Sequence, residues 1–374
     1  MTHKRRQVRT LHLGLGNFFR AHQAWYTQHA DPEWGIAAFT GRHPQAALAL
    51  AAQNCRYTLD VRGPDGDFYE QISAVVAAHA GDDDAAWLAY WADPDVVLLT
   101  MTITEAGYRA GPAISRIVTG LKARWRADAG PMTLVPCDNL PHNGQVLADL
   151  VVGLAAQIDP ELPDWIATNV GFVSTAVDRI TPATTEDDVA RIASAVGWRD
   201  AVPVVTEPFS EWVLTDAFTT PRPPWDNVGA TITSDVLPYE QRKLTLLNGA
   251  HSLMSYAGPL RGHTTVAQAI ADPQIQQWVR RWWDEADPYL AMPPEVLHSY
   301  EQQLLLRWAN PDIRHLLSQI AMDGSQKLAV RLPPTIRAHR AAGRMPVAAC
   351  HILAAWIVTA REGTVTDPER DRLL

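Results

Sequence analysis

Val8-Arg-Thr-Leu-His-Leu-Gly14-Leu-Gly16-Asn-Phe-Phe-Arg20 is the stretch that decides the fold of the first half. Val8–Leu13 reads as a strand, runs straight into Gly14-x-Gly16, and gives way to a helical pattern over Arg20–Ala30. Strand, glycine turn and helix in that order make the geometry of a dinucleotide site. The first glycine permits a tight turn, and the second lets backbone approach a pyrophosphate. The helix N-terminus supplies N–H donors and a partial positive charge. Gly14, Gly16, Asn17 and Phe18 are the candidate contacts, and Arg20 either reaches a phosphate or sits on a helix face. The third glycine of the usual fingerprint is replaced by Phe19, so a plain strand–helix turn stays open as the other reading.

Outward from this turn, strands and helices alternate. Ile36–Thr40 is a second strand, followed by an alanine-rich helix near Pro44–Gln53. Tyr57–Val61 and Phe68–Val76 flank Gly63-Pro64-Asp65-Gly66 and predict a β-hairpin. Helices are predicted over Asp83–Ala92, Gly111–Ala127 and Asn143–Ala156, and strands over Val96–Thr102 and Thr133–Pro136. Such alternation argues for a doubly wound α/β sheet. After Pro221-Arg222-Pro223-Pro224 a short strand is expected at Gly229–Ile232, and then the patterns turn helical. These cover Tyr239–Tyr256, Thr264–Ala271, Pro273–Ala286, Pro294–Trp308, Pro311–Met322 and Val347–Arg361. We therefore expect two domains, 1–235 and 236–374.

Composition narrows the function classes. The 374 residues are 47% hydrophobic and 20% charged, which excludes bulk disorder. A net charge of −9 argues against a nucleic-acid partner. No apolar run is long enough for a membrane span, and the basic start lacks the apolar core of a signal peptide. Cys55, Cys137 and Cys350 lie far apart, so neither a disulfide framework nor a zinc ribbon is expected, and a reducing cytoplasm is the simplest setting. Of 14 tryptophans, three fall in Trp278–Trp283, read as interhelical packing rather than a ligand cage.

The second strand of an NAD site usually ends in an acid that binds the ribose diol. Here Gly41-Arg42-His43 follows, with no acid. Arg42 suits a 2′-phosphate and hence NADP; it could equally be solvated or stack on adenine. Farther on, Glu240, Lys243, Asn248 and His251 share one predicted helix. With Lys243 at zero on an α-helical wheel, Glu240 falls at about 60°, His251 at about 80° and Asn248 at about 140°. Lys243 and His251 are separated by roughly 12 Å along the axis, so these groups would line a pocket rather than touch. A surface face with a half-buried histidine is the bland alternative.

Five ordered motifs together resemble the polyol-specific long-chain dehydrogenases: residues 14–24, Thr102-Ile-Thr-Glu-Ala-Gly-Tyr108, Cys137-Asp-Asn-Leu-Pro-His-Asn-Gly144, Val177-Asp-Arg-Ile-Thr-Pro182 and Lys243-x5-Asn-x2-His251. The resemblance runs from about Leu11 to about Arg361. It implies an α/β Rossmann-type N-terminal domain, a mostly α-helical C-terminal domain, a cleft site and a metal-free NAD(P)-dependent reaction on a secondary alcohol. Lys243 resembles the general base. Asn139 and Asn248 resemble the amides that hold the reacting oxygen, and His251 the substrate-orienting histidine. Glu240 matches a carboxylate in a proton path, Asp178 a substrate-pocket acid (or, locally, an N-cap or partner of Arg179). Thr102 and Glu105 fall in the cofactor-side segment, Glu105 at the cleft edge.

The chemistry is consistent with the residue types. A lysine at its free pKa of ~10.4 is a poor base near neutrality, and partial burial would lower it. Carboxamide N–H groups would stabilise alkoxide charge. Ala321–Leu328 and Glu207–Val213 look closer to the fructuronate reductase branch than to the mannitol branch. Lys327 and Arg331 are then candidates to meet a sugar-acid carboxylate, or else lie on a solvated helix end. The expected partners are a sugar alcohol, aldonate or keto sugar, with the chain a monomer or small homo-oligomer. A polyol-phosphate dehydrogenase and a non-catalytic nucleotide sensor are the competing readings. The compact 108–137 segment and the end at Leu374 are expected to reduce the cover over the cleft, and Phe19 stands where the motif often has histidine.

Overall fold

Uninterrupted apolar runs fix the centre of the first unit. The computed structural model describes residues 6–64, 66–363 and 366–369. The basic start at residues 1–5 and Asp65 in the expected hairpin turn lie outside the described residues, as do 364–365 and 370–374. Two compact units divide the chain, Met1–Val236 and Leu237–Leu374.

In the first unit, β1 (Gln7–Leu13), β2 (Trp34–Phe39), β3 (Tyr57–Gly63), β4 (Gly66–Ile72), β5 (Val75–His79), β6 (Leu98–Met101), β7 (Met132–Pro136) and β8 (Val170–Phe172) come in that chain order. Six of them form one sheet in the order β5-β2-β1-β6-β7-β8, all pairs parallel. Every residue of β2, β6 and β7 is buried, as a sheet covered on both faces requires. Two three-stranded sheets complete the strands of this unit. One joins β10 (Val204–Thr206) to β3 and β4; the other joins β9 (Thr175–Asp178), β11 (Glu211–Thr215) and β12 (Thr231–Thr233). The order of the main sheet reverses between β1 and β6, which is where α/β sheets bind ligands.

Some local expectations change. The hairpin's second arm stops at Ile72 instead of running to Val76. Gln28 Oε1 accepts from the Ser73 N–H at 2.6 Å, which takes that donor out of the ladder, and β5 crosses to the main sheet. The helix after Gly16 breaks at His22 (φ −119°, ψ −87°) into Asn17–Ala21 and Gln23–Ala30.

The second unit is helical. Pro273–Ala286, Pro294–Trp308 and Val347–Arg361 are its longest helices. Only Leu317–Ile320 of the expected 311–322 helix forms, because Val266 N–H donates to His315 O and Leu317 N–H to Thr264 O, tying that backbone to residues 264–266. Gly324–Arg331 and Pro333–Ala341 add two short helices. Among the described residues no helix is long and apolar enough to cross a membrane.

Candidate active site

The turn after β1 is built around Gly14, at φ +109°. A Cβ there would lie 2.0 Å from Thr102 O, so only glycine allows the ends of β1 and β6 to close up. Beneath the turn, Thr102 Oγ1 donates to Gly14 O at 2.8 Å, and His12 Nε2 lies 3.2 Å from both atoms. Gly14 O can only accept, which puts the proton of a neutral His12 on Nε2 and leaves Nδ1 to accept from Thr100 Oγ1 at 2.9 Å. Burial holds the His12 pKa down to about 3, so the ring stays neutral, stacked on Phe19 at 3.5 Å. That stack gives Phe19 a packing role.

Above the turn lies a cavity of about 710 Å³, lined by Gly14, Gly16, Thr40–His43, Gly81, Thr102–Thr104 and the start of the helix Pro112–Arg126. Its size falls in the range of small-molecule sites. A second close approach shapes it: a Cβ on Gly81 would lie 2.0 Å from Gly41 O. Arg42 is exposed at this wall. The described residues of the cradle therefore fit a dinucleotide, with Gly14 and Gly16 at the turn and Arg42 at the end of β2.

Arg20 departs from its expected role. Its side chain is buried, and its guanidinium donates to Gly16 O, Asn17 Oδ1 and Val202 O. It braces the glycine turn from inside the fold instead of reaching a phosphate, and it occupies the Asn17 carbonyl oxygen. Phe18 is half-buried, stacks on His22 at 4.9 Å and packs against the core, and it is not among the residues lining this cavity. Glu105 is exposed in a short 3-10 turn, with its neighbours Thr104, Ala106 and Gly107 on the cavity wall.

Sequence reasoning missed the group that shapes this wall. Buried Asp138 accepts from Ile103 N–H at 3.0 Å, Thr104 N–H at 2.7 Å and Tyr108 Oη at 2.9 Å. Thr104 is held at φ +65°. Burial raises the Asp138 pKa, partly offset by these donors. Arg116 was also missed: it lines the cavity with its guanidinium over the Trp87 ring at 4.5 Å. The rule that each post-strand helix presents its first turn to the site would have pointed there. Asn139 is exposed on the loop after β7. Asn143 anchors that loop, donating to Asp138 O and Thr175 O at 3.0 and 2.9 Å. Asp178 is buried at the end of β9, while the Arg179 guanidinium goes to Glu207 O and Ala21 O.

In the second unit the lysine helix is not a regular α-helix. Leu237–Arg242 and Ala250–Ala257 are α, but Lys243–Gly249 is π, bonded i→i+5. The α-helical wheel put Asn248 about 140° from Lys243; the wider turn brings residues five apart toward one side. Lys243, Asn248 and Glu240 are half-buried, and His251 is buried. His251 is held well below its ordinary pKa by burial, reinforced by neighbouring His315 and by the positive charges of Arg331, Arg307 and Lys243. Its Nε2 has no hydrogen-bond partner among the described residues. Lys327 Nζ donates to Ile320 O at 3.2 Å. Arg331 Nη1 donates to Asn248 O at 3.1 Å and to Ser252 Oγ at 2.8 Å, which makes the half-buried guanidinium a strut of the lysine helix.

Comparison with known proteins gives matches along nearly the whole chain. Residues 8–227 match the mannitol dehydrogenase Rossmann domain, and residues 235–366 the mannitol dehydrogenase C-terminal domain. D-mannonate oxidoreductase of Escherichia coli is 36% identical over 90% of this chain and 76% of its own length. Mannitol 2-dehydrogenase of Cereibacter sphaeroides is 33% identical over 96% of this chain and 83% of its own. The Pseudomonas fluorescens mannitol 2-dehydrogenase structure, a ternary complex with NAD and D-mannitol, is similar with a TM-score of 0.85 at 33% identity, covering 99% of this chain and 84% of that one.

Proposed function

The chain belongs to the mannitol dehydrogenase family, and on that premise we propose that this oxidoreductase interconverts a secondary alcohol of a linear polyol or aldonate and its keto sugar, using a nicotinamide dinucleotide. The observation that carries the reading is the placement of a half-buried amine and a carboxamide on one π segment, in a chain whose other unit carries a dinucleotide-shaped cradle.

Gly14, Gly16 and the cavity wall at Thr102 and Arg42 are the residues we assign to the cofactor. When bound, the nicotinamide supplies the hydride acceptor in oxidation and the donor in reduction. Lys243 Nζ takes the hydroxyl proton in oxidation and returns it in reduction. The carboxamides of Asn139 and Asn248 donate N–H to the oxygen as its charge builds, where such donors contribute most. His251, kept neutral, offers Nε2 to a substrate hydroxyl. Glu240, one turn before Lys243, relays the proton toward solvent, and Asp178 accepts from a substrate hydroxyl.

We favour the aldonate branch, with Lys327, whose Nζ donates to Ile320 O, as the cation that meets the carboxylate. Mannitol and fructose are the second reading, supported by likeness to the mannitol 2-dehydrogenases. The test follows reduced-nicotinamide absorbance across aldonates, polyols, keto-uronates and ketoses with NAD and NADP. Faster turnover of the sugar acids is expected. Preference for mannitol and fructose selects the second reading, and cofactor binding without any turnover means a nucleotide sensor.

A further inference from the structure

The tryptophan cluster of the sequence has a place in this site. We propose that Trp282 and Trp283 are positioning residues that lock the π segment Lys243–Gly249, and through it the relative placement of the amine and the Asn248 carboxamide. The inference rests on the function proposed above.

The π segment is the irregular part of an otherwise α-helical run from Leu237 to Ala257. Three of its carbonyls take side-chain donors. Trp282 Nε1 donates to Thr245 O at 2.9 Å, and Trp283 Nε1 to Leu246 O at 3.0 Å. Arg331 Nη1 and Ser252 Oγ take Asn248 O at 3.1 and 3.2 Å. Two neighbouring residues of one helix thus capture two neighbouring carbonyls of another. In a regular α-helix each of those carbonyls would already hold its own i+4 N–H, so an indole there would be a second donor on a bonded oxygen.

The dependence runs both ways. Both tryptophans are fully buried, so a backbone shift that carried Thr245 O or Leu246 O out of reach would leave an indole N–H without an acceptor in the core. An unsatisfied buried donor is costly, which holds the segment where the indoles meet it. Gly249 completes the arrangement: a Cβ there would sit 2.5 Å from Trp282 Nε1, so the indole reaches the helix only across a glycine. π turns recur at functional sites. Here the turn separates the proposed base from the proposed amide by five residues and carries the amide's own carbonyl on the Arg331 strut.

Trp282→Phe and Trp283→Phe delete the N–H and keep most of the ring. Each is expected to lower kcat about 10- to 100-fold, as small misplacements of reacting groups do. The KM for sugar and the Kd for reduced cofactor should stay within about twofold. The pH at which kcat falls should move, and amide hydrogen exchange over 243–249 should quicken. A purely structural role would lower Tm alone. Unchanged kcat, pH profile and exchange in a folded variant overturn the proposal. Should neither variant fold, Arg331→Gln removes the half-buried donor to Asn248 O and is read the same way, with the same outcomes expected and the same ones fatal. Lys243→Ala is run alongside. If it is inactive while the tryptophan variants behave as native, only this inference fails; if it retains native kcat, both fail.

Discussion

Three side chains decide most of what can be tested one residue at a time. Lys243→Ala removes the proposed base, so kcat should fall by roughly 10²- to 10⁴-fold, the usual range for general acid–base groups, while titration with reduced cofactor still shows near-native binding. Arg42 stands exposed at the end of β2, where an acid would bind a ribose diol. If it meets a 2′-phosphate, Arg42→Ala should cut kcat/KM with NADP by about tenfold and spare NAD, in keeping with a hydrogen bond to a charged group. Equal loss with both cofactors would assign it to adenine or to packing. Arg20 teaches the converse lesson. Its position one turn into the helix suits a phosphate contact, but three acceptors inside the fold hold its guanidinium.

At the level of elements, the glycine turn and the lysine helix behave differently under substitution. Gly14 combines φ +109° with a Cβ position 2.0 Å from Thr102 O, so Gly14→Ala must separate the ends of β1 and β6. Loss of more than about tenfold in cofactor affinity is expected, over 1.4 kcal/mol, measured by fluorescence titration. The neutral His12 beneath it, clamped to Gly14 O and Thr102 Oγ1, turns this loop into a fixed wall rather than a flexible one. The lysine helix depends instead on donors arriving from outside it, two indoles and a guanidinium. Rigid backbone geometry shapes one element, and tertiary hydrogen bonds shape the other.

For the whole molecule, buried neutral histidines set the response to acid. His12, His251 and His315 all have lowered pKa values, chiefly from burial. In the unfolded chain each protonates near ~6.5. Below that pH the unfolded state binds protons that the folded state does not, so stability falls with pH. For His12 the window extends down to about 3, the pKa of the folded state. Each histidine contributes on the order of 1 kcal/mol per pH unit across its window. Urea midpoints should therefore drop between pH 7 and pH 5, and His12→Asn should flatten that slope. A midpoint constant over this range would show that the folded protein accepts these protons.

Local pattern alone determined the alternation of strands and helices and the need for glycine at 14, because apolar periodicity and turn sterics act over a few residues. It also placed lysine, asparagine and histidine in one helical stretch. It failed where a distant donor or acceptor intervenes. Gln28 ends a strand at Ser73, the 311–316 backbone pairs with 264–266, and Arg20 and Arg331 turn inward to carbonyls. The π turn belongs to the same class: nothing in Lys-Leu-Thr-Leu-Leu-Asn-Gly forbids an α-helix. Only the folded unit brings Trp282 and Trp283 against Thr245 O and Leu246 O, and a buried N–H must find an acceptor wherever the chain puts one.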